Sequence, residues 1–342
     1  MMIAKHVREL EGYVPGEQPK DRKVVKLNTN ENPYPPSSKV TAVLKNFDLD
    51  RLRRYPDPDC TELRQALAKL NGTSIDRVFV GNGSDEILAL SAKAFVENDE
   101  GIVSLDPSYS LYQTLAAIRN VKWIGANKPS VKTLPPKTAL FLWTNPNAPT
   151  GEFVGPKTIA NFARAFKGVV IVDEAYGDFA RDNCMALATA EKNRNVIVMR
   201  TFSKSYSLAG LRVGYCIGPK PLIDALYKIK DSYNVDALAQ AVALAALKDQ
   251  AHLKRSVKKV IAERKRLSAA LEKRGWDVIP SESNFIFAEP PKKNAAEIFQ
   301  QLKGRHIYVR YFSGPKTANR LRVTIGTHEQ MNILLKTLDE LN

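Results

Sequence analysis

Cysteine is scarce. Cys60, Cys184 and Cys216 are odd in number, far apart and without CxxC pairing, so neither a disulfide framework nor a cysteine-based zinc site is expected, and no metal is assigned. Long apolar runs are also missing: nothing approaches the ~18 uninterrupted apolar residues of a membrane span. The opening MMIAKHVRELEGY has no apolar core of signal-peptide length, so a cytoplasmic protein without a membrane anchor is expected. There is no internal repeat and no low-complexity segment. Acidic residues are outnumbered, 36 against 51 Lys and Arg, for a net charge of +15. Such a balance suits nucleic acid, an acidic membrane surface or anionic small substrates. The densest basic run, residues 254–266, is threaded by Leu253, Val257, Val260, Ile261 and Leu267 at helical spacing, which makes it the solvated face of an amphipathic helix. No nucleic-acid motif accompanies it, and no nucleic-acid partner is expected.

What is present is an ordinary globular composition, 44% hydrophobic and 25% charged over 342 residues, long enough for two domains. The chain is organised around residues 195–215, NVIVMRTFSKSYSLAGLRVGY. The apolar, β-branched run 195–199 predicts a buried strand, and Lys204 falls just past its end. In open α/β sheets ligands collect beyond the carboxyl ends of the strands, which aims this amine at a small-molecule site. Thr201 and Ser203 offer hydroxyls and Arg212 a cation, a set that suits a phosphate dianion near the lysine. By itself the stretch fits a solvated surface lysine equally well. The upstream GVVIVDEAY decides between them, because a second buried strand, residues 169–172, delivers the carboxylate of Asp173 and the phenol of Tyr176 at its end.

With that convergence the chain resembles the fold type I pyridoxal-phosphate aminotransferases, and within them the histidinol-phosphate aminotransferases. The resemblance runs through LNTNENPYPPS, RYPDP, GNGSDE, DPSYSLY, NPNAPTG, VDEAY, TFSKSYSLAGLRVGY, SYNVDALAQ, SNFIF, VRYF and LRVTIGT. It implies pyridoxal 5'-phosphate held covalently on Lys204, with Asp173 against the pyridine nitrogen and Tyr176 against the ring's phenolic oxygen. It implies a phosphate seat of Gly83, Ser84, Asp85, Thr201, Ser203 and Arg212, with Tyr109 stacked on the ring. Glycines in GNGSDE let the backbone approach an anion, and the helix expected over residues 87–95 points its N-terminus there. Tyr55 in RYPDP is implied to reach a neighbouring subunit's cofactor phosphate, making a homodimer with composite sites; a buried turn tyrosine is the other reading. Tyr13, Asn284, Arg310 and Arg322 are the implied substrate contacts, although Tyr13 also suits an aromatic pinning a loop. Tyr112 is assigned to the core.

One position departs from the family. The asparagine usually found directly before Pro-Thr-Gly, a donor to the phenolic oxygen, is Ala148 here. Asn145 and Asn147 stand nearby as candidate replacements.

The expected fold is α/β: an arm (residues 1–27), a large domain with a mostly parallel seven-stranded sheet (28–235) and a smaller α+β domain (236–342). In the last, strands are expected over residues 284–288, 307–311 and 321–325, and Thr327 with Gln330 forms a capping box for a final helix. Arg310 and Arg322 sit in apolar runs, where a buried cation is costly without an anionic partner. The implied activity is transamination between L-histidinol phosphate and 2-oxoglutarate, with Lys204 as general base. Alternatives are an aromatic or broad-specificity aminotransferase, a threonine-phosphate decarboxylase-like lyase, or a cofactor-binding sensor without turnover.

Overall fold

A computed structural model describes residues 2–341 apart from Arg22, Asn193 and Lys293. Its centre is a sheet of seven strands: β1 (Val78–Gly81), β2 (Gly101–Leu105), β3 (Lys122–Ala126), β4 (Thr138–Thr144), β5 (Val169–Asp173), β6 (Val196–Thr201) and β7 (Gly214–Ile217). They lie in the order β1-β7-β6-β5-β4-β2-β3, and only β7 runs antiparallel to its neighbours. The apolar runs have a direct cause. Val170, Val172, Val196 and Val198 join one hydrophobic cluster, while Ile171, Ile197 and Met199 join a second on the opposite face. A parallel sheet covered on both sides needs apolar residues at consecutive positions, not alternate ones.

A second, antiparallel sheet is formed by β8 (Asp277–Ile279), β9 (Phe285–Glu289), β10 (Arg310–Tyr311) and β11 (Leu321–Thr324), in the order β10-β11-β9-β8. The single strand expected over residues 307–311 is in fact two. Ile307–Tyr308 pairs in parallel with Val25–Lys26, whereas Arg310–Tyr311 pairs with β11, so the chain changes sheets at Val309. The segment after Val25 is bound to the smaller sheet, with Leu27 N–H donating to the Tyr308 carbonyl at 2.7 Å and Thr324 N–H to the Leu27 carbonyl at 2.9 Å.

The helices include α1 (Gly83–Ala94), α2 (Gln250–Glu272) and α3 (His328–Leu341). Leu253, Val257, Val260 and Leu267 are buried along α2 while Lys254, Arg255, Lys258 and Lys259 are exposed, the amphipathic division its sequence predicts, except that Arg264 is buried and donates to the carbonyls of Ser283 at 2.5 Å and Phe179 at 3.3 Å. At the start of α3, Thr327 N–H donates to Gln330 Oε1 at 2.8 Å and Gln330 N–H to Thr327 Oγ1 at 3.3 Å, the reciprocal capping box. Among the described residues no helix is long and apolar enough to cross a membrane.

Candidate active site

The ends of β2, β4, β5 and β6 open into a cavity of about 820 Å³ whose other wall is β10, β11 and the loop that follows β10. Register accounts for the first wall: Thr144 is paired with Asp173 and Asp173 with Met199, so adjacent strands finish at one level. The chain then turns, and Lys204, three residues beyond β6, enters the cavity.

The Lys204 ammonium donates to the Thr29 carbonyl at 3.2 Å and stands 5.8 Å from the centre of the Tyr176 ring. Burial pushes its pKa down to about 8, Arg322 and Arg212 acting in the same direction against Glu31 and Asp85. A lysine depressed this far is substantially a neutral amine near pH 8, the form that acts as nucleophile and base. Asp173 is almost wholly buried. Burial pushes its carboxyl up to about 6, against hydrogen bonds from the Tyr112 hydroxyl at 2.8 Å and the Ala175 N–H at 3.0 Å. No cation is paired with it among the described residues, so a ligand carrying a protonated ring nitrogen would relieve its desolvation. Tyr176 accepts a hydrogen bond from Asn30 Nδ2 at 2.9 Å, and burial raises its pKa.

At one end of the cavity lie Ser84, Asp85, Thr201, Ser203 and Arg212. Helix α1 begins earlier than expected, so Gly83, Ser84 and Asp85 form its first turn, where N–H groups and the helix dipole favour an anion. Gly83 does not line the cavity but makes the seat possible. Its φ is +80°, and an added Cβ would lie 2.8 Å from Arg212 Nη2. Arg212 donates to Asp85 Oδ2 at 3.2 Å, and Ser203 N–H to Thr201 Oγ1 at 3.1 Å. Tyr109 lines the cavity between this seat and Tyr13, with its hydroxyl 3.3 Å from Asp85 Oδ1 and its ring edge-on to Tyr13 at 5.8 Å.

The opposite end carries the two arginines. Arg310 and Arg322 are cross-strand partners on β10 and β11, and both line the cavity. Arg310 donates to the carbonyls of Val14 at 3.0 Å and Pro15 at 3.2 Å; Arg322 donates from Nη2 to the Asn28 carbonyl at 2.8 Å. Neither forms an ion pair among the described residues, and Arg322 Nε and Asn28 Oδ1 are buried without a hydrogen-bond partner. Burial lowers the pKa of Arg322.

Two residues named from the sequence do not line this cavity, and for Tyr55 the expected place is a neighbouring subunit's site. Tyr55 is 81% exposed and stacks on Tyr233 with ring centres 4.3 Å apart, away from this cavity. Asn284 is fully buried behind the cavity wall, its Nδ2 donating to the Asn30 carbonyl at 2.9 Å. Asn145 and Asn147 do not replace the donor missing at Ala148. Asn145 is bonded in both directions to Val154, and Asn147 to Ser108, Pro107 and Thr150. Two orienting roles escaped sequence reasoning. Tyr112 is fully buried in the core as expected, and it also orients Asp173, a role its place in DPSYSLY does not reveal. Asn30, held by Thr324 Oγ1 at 3.0 Å, orients Tyr176; it lies within LNTNENPYPPS, but nothing in the sequence singles it out from the neighbouring asparagines.

A buried carboxylate, an anion seat at a helix N-terminus, an aromatic wall and a depressed lysine together fit a flat, cationic aromatic ring bearing a phosphate. Residues 22–338 match the aminotransferase class I and II family, and the chain belongs to it. Over 98% of its length it is 43% identical to histidinol-phosphate aminotransferase 1 of Nostoc sp., covering 97% of that protein. It is 44% identical to a histidinol-phosphate aminotransferase of Geobacter sp., covering 99% of this chain and 98% of the relative. Its fold matches, with a TM-score of 0.90 and 25% identity, a histidinol-phosphate aminotransferase from Sinorhizobium meliloti solved in complex with pyridoxal-5'-phosphate, covering 100% of this chain and 98% of that one.

Proposed function

We propose that this chain is a pyridoxal-phosphate-dependent aminotransferase that interconverts L-histidinol phosphate and 2-oxoglutarate with imidazole acetol phosphate and L-glutamate. The observation that carries the reading is the two-ended cavity: a depressed lysine and buried carboxylate at the sheet, facing two arginines that have no acidic partner among the described residues. Pyridoxal phosphate, when bound, supplies an electrophilic carbonyl carbon and a protonated ring that withdraws electrons from the carbon bearing the amine.

The chain's own residues do the rest. Lys204 Nζ is the attachment point for the cofactor and afterwards the base that takes the proton from the donor's amine-bearing carbon. Asp173, held by Tyr112 and Ala175, keeps the ring nitrogen protonated. Tyr176 and Asn30 form a hydroxyl and amide pair on the phenolic-oxygen side, where Ala148 contributes nothing. Gly83, Ser84, Asp85, Thr201, Ser203 and Arg212 seat the cofactor phosphate, and Tyr109 covers the ring, a contact worth roughly 0.5–1.5 kcal/mol in aromatic pairs. Arg322, helped by Arg310 and with Tyr13 above them, holds the substrate's phosphate or carboxylate, so one clamp serves both half-reactions. Asn284 acts from behind by supporting Asn30.

The active unit in this reading is a cytoplasmic homodimer. Tyr55 closes a stretch of sequence that also exposes Leu44, Leu49 and Leu52, and this run of exposed apolar side chains supports Tyr55 serving a second copy's phosphate seat. The division into an arm, a large domain and a smaller domain near residues 28 and 236 belongs to the same proposal. The test is incubation of the purified, cofactor-loaded protein with 2-oxoglutarate and histidinol phosphate, phenylalanine, tyrosine or threonine phosphate in turn. Glutamate formation fastest with histidinol phosphate is expected. Carbon dioxide release from threonine phosphate, or preference for a neutral aromatic donor, would replace this reading.

A further inference from the structure

The loop after β10 leaves the arginine pair and crosses the mouth of the cavity to the large sheet. There Lys316 Nζ meets three acceptors: Asp106 Oδ2 at 2.8 Å, the Asp106 carbonyl at 3.2 Å and Asn127 Oδ1 at 2.5 Å. At the loop's other end the Phe312 ring faces both guanidinium groups, 5.2 Å from that of Arg310 and 5.3 Å from that of Arg322. Between these ends the loop is closed on itself. Thr317 Oγ1 donates to the carbonyls of Phe312 at 3.3 Å and Gly314 at 3.2 Å, and Thr317 N–H to Gly314 at 2.9 Å. Lys316 and Phe312 therefore belong to one tight turn, and displacing the first displaces the second.

The receiving side is equally constrained. Asp106 follows β2 directly and precedes Pro107, Ser108 and Tyr109, the segment that covers the cavity. It packs over Gly125 of β3, where an added Cβ would lie 2.8 Å from Asp106 Cβ. An isolated exposed ion pair holds little. Here one ammonium is shared by three acceptors on two separate segments, and each acceptor is fixed by its own strand.

We propose that Lys316 is a positioning residue for the anion clamp: by bonding Asp106 and Asn127 it holds the 312–317 turn in place, and through Phe312 it fixes the two guanidinium groups. This rests on the reading that Arg310 and Arg322 receive the substrate's anion. The cationic clamp on one sheet is thereby tied to the loop bearing Tyr109 on the other, and the tie lies at the cavity mouth, where it also restricts water.

The test is titration of the cofactor-loaded protein with inorganic phosphate, followed by isothermal calorimetry, for the parent, Lys316→Met, Asp106→Asn, the double variant and Lys316→Arg. Each single substitution is expected to weaken phosphate binding about three- to tenfold. The double variant should bind no more weakly than either single one, and Lys316→Arg should recover most of the loss. For histidinol phosphate the same variants should raise KM more than they lower kcat, with the visible absorbance of bound cofactor unchanged. Weaker binding in Lys316→Met with tighter binding in Asp106→Asn would mean that Lys316 grips the anion itself, and would overturn the proposal. Additive losses in the double variant, or no change in either single one, would overturn it too. The titration needs no turnover. If the parent fails to transaminate histidinol phosphate while phosphate binding weakens in both single variants without additivity, the functional reading falls and the positioning role stands.

Discussion

The two walls of the cavity are built on opposite principles. On the sheet wall the carboxylate and the anion-seat arginine have fixed partners, Asp173 accepting from Tyr112 and Ala175 and Arg212 donating to Asp85, while the reactive Lys204 has only the Thr29 carbonyl. On the opposite wall Arg310 and Arg322 face, among the described residues, only carbonyls and aromatic rings, with Arg322 Nε left unsatisfied. Under the proposed function, the difference separates a part of the site that keeps one geometry through every turnover from a part that accepts different anions in succession. Bonds within the protein serve the first requirement, and unspent donor capacity serves the second.

The largest expected effect lies on the sheet wall. Lys204→Ala should lower turnover by at least about a thousandfold, as loss of both a nucleophile and a general base implies. It should also remove the borohydride-reducible adduct, and a retained adduct would move the attachment point elsewhere. In the parent, capture of the cofactor should accelerate as pH rises through about 8, the depressed pKa of Lys204, and not through the range of an ordinary lysine. On the other wall, Arg322→Ala removes charged hydrogen bonds worth about 1.5–3 kcal/mol each, roughly 10- to 150-fold in kcat/KM. It should damage the half-reactions with histidinol phosphate and with 2-oxoglutarate alike. Arg310→Ala should cost about tenfold with the phosphorylated donor and less with a neutral aromatic one. Single-turnover kinetics of each half-reaction separates the two.

Asp173→Asn sharpens the comparison through stability. The folded carboxyl titrates near 6, above its ordinary value of 3.8, so the folded state binds more protons between those values and loses stability as pH rises through them. The substitution removes that cost. Cofactor-free Asp173→Asn should therefore be more stable than the parent at pH 7.5, by on the order of 1–3 kcal/mol, and the gain should shrink at pH 5. Urea unfolding at the two pH values measures it, and a variant less stable than the parent at both would contradict the burial argument. The smallest effect is expected for Ala148→Asn, which adds a donor on the phenolic-oxygen side. It should shift the pH titration of the bound cofactor's visible absorbance, and unchanged titration would mean that Tyr176 and Asn30 already satisfy that oxygen.

Much of the sheet wall is legible in the sequence because a doubly covered strand must be apolar at every position, as residues 169–172 are, and whatever comes after it lies at the cavity. β3 was not legible: it is an edge strand, Lys122–Ala126, half exposed and carrying Lys, Trp and Gly, with no apolar run to mark it. The break at Val309 was hidden for another reason, since pairing partners are not written in a strand's own pattern. Residues that orient others were the hardest. Tyr112 and Asn30 act through bonds to Asp173 and Tyr176 that depend on tertiary packing, whereas Lys204 and Arg322 are set by their place on a strand or just past it. The loss at Ala148 was visible as a departure from a motif, but the engagement of Asn145 and Asn147 with neighbouring backbone required the turn's geometry.

The central claim, that the arginine wall exists to hold an anion while the sheet wall does the chemistry, is tested most directly by comparing histidinol phosphate with histidinol in the single-turnover half-reaction. In the parent the phosphorylated donor should be preferred by at least about a hundredfold in kcat/KM, and in Arg322→Ala the preference should collapse toward unity. A parent that uses both donors equally well, or an Arg322→Ala variant that keeps the full preference, would contradict the account.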